Sequence, residues 1–315
     1  MNHVQHSKVK FRDAPRNREL RTKLLLGVAH VMGKTSVIRS VIVATLLGGL
    51  WLAYTQQGPL ASKLTTQKIA NDLYVIHNDF VPGNTTVLVT NEGVILVDDK
   101  FPVDHQNIMA ELKKITDQPV KYVVNTHHHG DHSGGNEEMR KIGAQLISSE
   151  QARRYMVDAN QPGLTNLTFQ DHMHLYLGGK HIEMYYFGRS HTGGDIVIYF
   201  PAERAISMGD MFTVGDSTPQ LVDYTNGGSA REWTGTVNRA LQLDFDTVVP
   251  GHGNVSTRAD LIRFRDSTVT LRNKIHEMIV AKNSRADVEK MLRSDFRWGD
   301  LPINGSLDGL MVELR

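Results

Sequence analysis

The 315-residue chain has no cysteine, so it holds no disulfide and no thiol for a lipid anchor. That absence suits an exported bacterial protein as well as any other and decides little about compartment. An excess of either charge is missing too: 35 Lys and Arg stand against 34 Asp and Glu. The balance hides an asymmetry. Residues 1–40 carry nine basic residues (Lys8, Lys10, Arg12, Arg16, Arg18, Arg21, Lys23, Lys34, Arg39) against Asp13 and Glu19, a net of +7, which leaves the remainder at about −6. An acidic body with no basic, aromatic motif argues against a nucleic-acid surface. Also lacking is an apolar run of about 20 residues, the length that spans a membrane. The charge-free, apolar Val41–Tyr54 has fourteen residues, which fits the core of a signal peptide.

Residues 1–61 therefore read as a basic tail plus a signal peptide or membrane anchor, and the protein is expected to be periplasmic or secreted. Pro59-Leu60-Ala61 before Ser62 is a poor small-x-small cleavage site, so an uncleaved anchor stays open. Translation from Met32 would leave Met32–Arg39 as a short charged leader; residues 1–31 are then an over-extended gene start or a disordered tail.

From Ile69 onward the pattern is strand and turn. Leu73–His77, Asn84–Thr90 and Val94–Asp98 alternate or run apolar around Asn91-Glu92-Gly93, which predicts an antiparallel meander. Val103–Ile115 has helical spacing, and a strand at Val120–Val124 follows. Further expected elements are helices at Asn136–Ile142 and Glu150–Met156, a strand at Ala144–Ser148, a loop over 158–168, and a hairpin over Met173–Tyr186 turning at Gly178-Gly179-Lys180. Strands at Ile196–Phe200 and Ala205–Met208 precede a lid-like loop, Met211–Gly228; helices are expected from Ser229 or Ala230 to Leu241, over Thr257–Val280, and over Arg285–Leu292. The grammar is α/β: two βα-rich halves with sheets inside and helices outside. Trp233 and Trp298 read as packing residues, and His172, His174 and His181 as ordinary surface or strand residues.

The chemistry-bearing stretch is Asn125–Gly135, on the loop that follows the Val120–Val124 strand. Its His-x-His-x-Asp-His spacing, His127 to His132, puts three imidazoles and a carboxylate within six residues, donors that suit zinc or another first-row divalent metal. His191 in Ser190-His191-Thr192-Gly193-Gly194-Asp195, Asp210 in Met208-Gly209-Asp210 and His252 in Gly251-His252-Gly253 each follow strand-like segments and form a second half-site.

This ordered series, with the strand-ending Asp98 of Gly93-Val94-Ile95-Leu96-Val97-Asp98 upstream, resembles the metallo-β-lactamase-fold hydrolase superfamily over about residues 68 to 256. The resemblance implies a four-layer αββα sandwich over residues 62–256, with 257–315 as a helical extension that either packs on the domain or serves a homodimer interface. It implies one zinc held by His127, His129 and His191, a second by Asp131, His132 and His252, and Asp210 bridging them; iron or manganese would also suit the donors. Asp131 is the expected catalytic carboxylate, Asp98 the group that orients a ligand histidine, and His128 the residue that points away. The implied reaction is hydrolysis of a small ester, lactone, thioester or amide by a metal-bridging hydroxide, so the expected partners are a small-molecule substrate, no nucleic acid, a membrane only through the N-terminal segment, and a second copy if the chain forms a homodimer. β-Lactam hydrolysis is the alternative: export favours it, whereas Asp210 departs from the Cys or Ser that true β-lactamases place in that role. A mononuclear iron persulfide oxygenase and a non-catalytic metal-binding protein are the remaining readings, and the presence of both His132 and His252 favours two metals.

Overall fold

The computed structural model describes residues 61–214 and 221–315. The basic tail, the apolar segment and the expected leader lie outside the described residues. None of the helices among the described residues is long and apolar enough to cross a membrane.

Two sheets stack face to face. The first contains β1 (Thr65–Ala70), β2 (Leu73–His77), β3 (Thr85–Thr90), β4 (Gly93–Val97), β5 (Val120–Val124), β6 (Gln145–Ser149) and β7 (Leu167–Phe169), side by side in sequence order. It is antiparallel up to β4 and parallel from β4 to β7. The second contains β8 (His172–Leu177), β9 (Lys180–Tyr185), β10 (Val197–Phe200), β11 (Ala205–Ser207), β12 (Thr247–Val249) and β13 (Ser256–Thr257), with β8 at one edge. Its β11 and β12 pair is parallel, the rest antiparallel. Helices α1 (His105–Ile115), α2 (Gly130–Ser133), α3 (Asn136–Lys141) and α4 (Glu150–Asp158) accompany the first sheet; α5 (Ala230–Ala240), α6 (Arg258–Val280), α7 (Arg285–Asp295) and α8 (Asp300–Glu313) accompany the second.

Three apolar cores define the layers. Between the sheets, Leu88, Ile95, Val124 and Ile147 meet Ile182, Met184, Ile198 and Phe200. Outside the first sheet, Leu96, Val123 and Leu146 pack under Ile108, Leu112 and Met139. Outside the second, Val197, Ile206 and Val248 pack under Trp233, Val237, Leu261, Leu271, Leu307 and Leu310. The order helix, sheet, sheet, helix is the expected αββα sandwich, and residues apolar on both faces, such as those of β4, are buried throughout.

Several boundaries differ from the sequence reading. Pro102–Asp104 forms a 3-10 turn, so α1 starts at His105. Leu167–Phe169, at the end of the expected loop over 158–168, is a strand that closes the first sheet against β6. The Met211–Gly228 loop carries a 3-10 turn at Tyr224–Asn226. Helix α8 lies inside the 257–315 span expected as a helical extension, but it was not marked as a separate helix, and it contains Pro302, Gly305 and Gly309. Pro302 is tolerated in the first turn, where the backbone N–H has no partner to lose. The two glycines provide space rather than flexibility: a Cβ on Gly309 would stand 2.0 Å from Tyr224 Cδ2, and one on Gly305 would stand 3.0 Å from Leu221 Cδ1.

Helix propensity alone makes Gly309→Ala stabilising by about 1 kcal/mol. The clash with Tyr224 reverses the sign, and a loss of about 1–3 kcal/mol is expected in urea unfolding; a raised midpoint would contradict this packing.

Candidate metal centre

The parallel strand pairs aim their carboxyl ends at one place, where open α/β sheets form their crevices. In the first sheet β4 runs into Asp98, and β5 into the loop carrying His127, His128 and His129 and then the short helix α2 carrying Asp131 and His132. In the second, β11 leads to Asp210 and β12 to His252. His191 comes from the β9–β10 connection, which is tied to the first sheet by the Ile196 N–H donating to the Thr126 carbonyl at 2.9 Å. Asn84 pins the His252 loop, donating from its side chain to the Pro250 and Gly253 carbonyls at 2.9 Å each. Gly251 lets the loop pass close to Asp210; a Cβ there would lie 2.0 Å from Asp210 Oδ1.

All seven residues expected to hold metal converge. His129 Nδ1 is 3.2 Å from His127 Nε2 and 2.9 Å from His191 Nε2. His252 Nε2 is 3.3 Å from His132 Nε2 and 3.3 Å from Asp131 Oδ2. Asp210 lies between the groups: its Oδ1 is 3.2 Å from His132 Nε2 and 3.3 Å from His252 Nε2, and its Oδ2 is 3.6 Å from His191 Nε2. The sets His127/His129/His191 and Asp131/His132/His252 each bring three donor atoms within 4.8 Å of one another. His128 turns instead to Tyr155, ring to ring at 5.1 Å, and burial holds its pKa down at about 3.

The outward nitrogen of each imidazole is already engaged. The His191 Nδ1–H donates to the Leu221 carbonyl at 2.5 Å and the His252 Nδ1–H to the Phe80 carbonyl at 2.7 Å. His132 donates from Nδ1 to Asp98 Oδ2 at 2.8 Å, and His129 from Nε2 to Asp223 Oδ2 at 2.9 Å. Thr126 donates its hydroxyl to Asp98 Oδ2, so its oxygen accepts from His127 Nδ1–H at 3.0 Å. Carbonyls and carboxylates only accept, which fixes the tautomer of each ring. Five bare nitrogen lone pairs therefore face inward beside two carboxylates. Asp210 Oδ1 is buried and makes no hydrogen bond, although two imidazole nitrogens lie beside it. Such a donor set fits one or two borderline cations.

The electrostatics agree. Burial and the positive potential of His132 and His129 push His127 well below its ordinary pKa. Burial also opposes charge on His132 and His252, yet Asp210 and Asp131 outweigh it; His132 is raised and His252 is lifted to about 10. Against the same burial, His132 and His252 hold the Asp131 carboxyl down at about 2. The two carboxylates thus favour positive charge at the inward nitrogens, the charge a cation would bring.

Asp98, expected to orient a ligand histidine, accepts from His132 Nδ1–H, and its left-handed backbone (φ 63) is one that Asp tolerates better than most side chains. The sequence reading missed Asp223, Thr126 and the Leu221 and Phe80 carbonyls. Thr126, inside the motif, could have been suspected. Nothing in the spacing marks Asp223 among the polar residues of its loop, and a carbonyl leaves no trace in residue identity.

A model of the metallo-beta-lactamase superfamily matches residues 78–252, more than half of the chain. The chain belongs to that superfamily of metal-binding hydrolases. Metallo-beta-lactamase type 2 from Elizabethkingia meningoseptica is 27% identical over 223 residues, 68% of this chain and 86% of that protein. The type 2 enzyme from Bacillus cereus is 26% identical over 212 residues, 63% and 77%. Among solved structures, a metallo-beta-lactamase from Pontibacter korlensis superposes with a TM-score of 0.60 at 23% identity, covering 65% of this chain and 99% of that one. The DIM-1 metallo-beta-lactamase gives 0.58 at 20%, covering 66% and 98%. These last two speak for the fold.

Replacing Asp223 by Ala frees the His129 ring to turn and leaves the seven candidate donors in place. Metal affinity should fall about 10–100-fold in competition with a chromophoric chelator; unchanged affinity would show that Asp223 does not orient the ring.

Proposed function

We propose that the protein is a dinuclear, zinc-dependent hydrolase of a small ester, lactone, thioester or amide. His127, His129 and His191 would hold one cation, Asp131, His132 and His252 the other, and Asp210 both. The observation that carries this reading is the convergence of five inward nitrogen lone pairs and two carboxylates in two sets joined by Asp210. Nitrogen and oxygen donors without sulfur suit zinc, and iron or manganese next. When bound, such a pair supplies Lewis acidity, bringing the pKa of a water towards neutrality and polarising a carbonyl beside it.

The chain's own groups define the rest. Among the described residues, three hydroxyls on the segments that carry the donors are already engaged: Ser133 donates to the His128 carbonyl, Ser190 to Asp195 and Thr126 to Asp98. In this reading water is the attacking group. Asp131 is 22% exposed, the most open of the candidate carboxylates, and its ionised carboxyl can orient that water and accept its proton at Oδ2. Phe80, 47% exposed, stacks over the His252 ring at 5.0 Å, and the neighbouring Val81 is 56% exposed. Together they give the rim an apolar wall for the acyl or ring portion of a substrate.

β-Lactam hydrolysis is the second reading, favoured by the names of the similar proteins and opposed by Asp210 at the bridging position. Export, with contact to a membrane only through the N-terminal segment, rests on the basic and apolar stretches at the start of the sequence.

Zinc-loaded protein assayed against nitrocefin, lactones, thioesters and phosphodiesters should turn over a lactone or thioester fastest. Chelation should remove that activity and zinc restore it, and Asp131→Ala should lower kcat by about 100-fold or more. Full activity in this variant refutes the mechanism, and preference for nitrocefin selects the second reading. Phe80→Ala keeps the carbonyl that holds His252, so KM should rise about tenfold with kcat and metal content kept; an unchanged KM removes Phe80 from the substrate site.

A further inference from the structure

A second group of metal-type donors lies on the hairpin of β8 and β9, and none of its members belongs to the centre above. In this hairpin His174 pairs directly with Glu183 and Tyr176 with His181. The alternate residues Leu175, Ile182 and Met184 are buried between the sheets, so the paired set occupies the opposite, outer face. His174 and His181 are diagonal neighbours with rings 6.3 Å apart and nearly parallel at 17°. Glu183 Oε1 stands 3.1 Å from His181 Nε2 and 4.0 Å from His174 Nδ1, and one donor atom from each of the three falls within 4.8 Å of the others. The other carboxylate oxygen, Oε2, accepts from the Tyr185 hydroxyl, which fixes the direction in which Oε1 points.

We propose that His174, His181 and Glu183 form a separate surface site for a first-row transition cation, zinc foremost, that clips edge strand β8 to β9. Ligands about 2.0–2.2 Å from a tetrahedral zinc stand roughly 3.4 Å apart. The observed 3.1 and 4.0 Å straddle that spacing, so small side-chain rotations complete the set. Two imidazoles and one carboxylate favour zinc, copper or nickel over calcium and magnesium, which demand oxygen. Tyr185 plays the part of the outer partner that holds a ligating carboxylate in place. The three ligands come from one hairpin whose strands are already paired in register, so little order is lost on binding. An edge strand is the part of a sheet most open to fraying and to pairing with another chain, and a cross-strand cation restrains both.

The test compares the full-length protein with a His174→Ala/His181→Ala variant, both first loaded with zinc and gel-filtered, then titrated with zinc alone by calorimetry. The wild type should bind one equivalent more than the variant, and excess zinc should raise the Tm of the wild type only. Hydrolytic activity should be the same in both, and cations in the buried centre cancel from the difference, so the result stands apart from the proposed function. Glu183→Gln, which keeps both imidazoles, should weaken the extra equivalent at least tenfold. Equal stoichiometry in wild type and double variant, or an extra equivalent that Glu183→Gln leaves untouched, overturns the assignment.

Discussion

Five imidazole lone pairs and two carboxylates cannot stay a few ångströms apart unless positive charge sits among them, and the rest of the molecule is arranged so that they do stay. Each ring is locked from outside by an acceptor that leaves one nitrogen bare: Asp98, Asp223, the Thr126 oxygen, and the Leu221 and Phe80 carbonyls. Mutual repulsion would otherwise turn the rings away. The donors that face inward are therefore preorganised by bonds that face outward.

The fold makes that arrangement rigid by taking the donors from the ends of packed strands. Each sheet contributes a parallel pair, β4 with β5 and β11 with β12, and the apolar layer between the sheets fixes their separation. Helix α8 adds a brace from outside. Ser306 bonds both the amide and the carbonyl of Val222, while Glu313 takes the Tyr224 hydroxyl, the Ser229 hydroxyl and the Ala230 amide. The braced segment is the one that supplies the Leu221 carbonyl to His191 and the Asp223 carboxylate to His129. The C-terminal helix thus holds two rings of the centre through a single loop.

Much of this was legible in the sequence, for reasons that separate what was seen from what was not. His127, His129, Asp131 and His132 lie within six residues, and local spacing survives without a structure. His191, Asp210 and His252 could be found because each follows a strand-like segment and sits beside Gly or a polar turn. Sheets inside and helices outside followed from strand-like runs alternating with amphipathic helices, and the four-layer order followed from the family resemblance. Helix α8 was not marked separately within the expected helical extension over 257–315, and only the nearness of Leu221 and Tyr224 shows why Gly305 and Gly309 stand in it. The His174/Glu183/His181 set was hidden because strand pairing, not sequence order, brings β8 and β9 residues together.

In the proposed reading this pocket holds a pair of cations. Diffraction from zinc-loaded crystals at the zinc absorption edge tests it most directly. Two anomalous peaks about 3.5–4 Å apart are predicted, one among His127, His129 and His191 and the other among Asp131, His132 and His252, with Asp210 between them. A pocket holding one peak, or none, would contradict it.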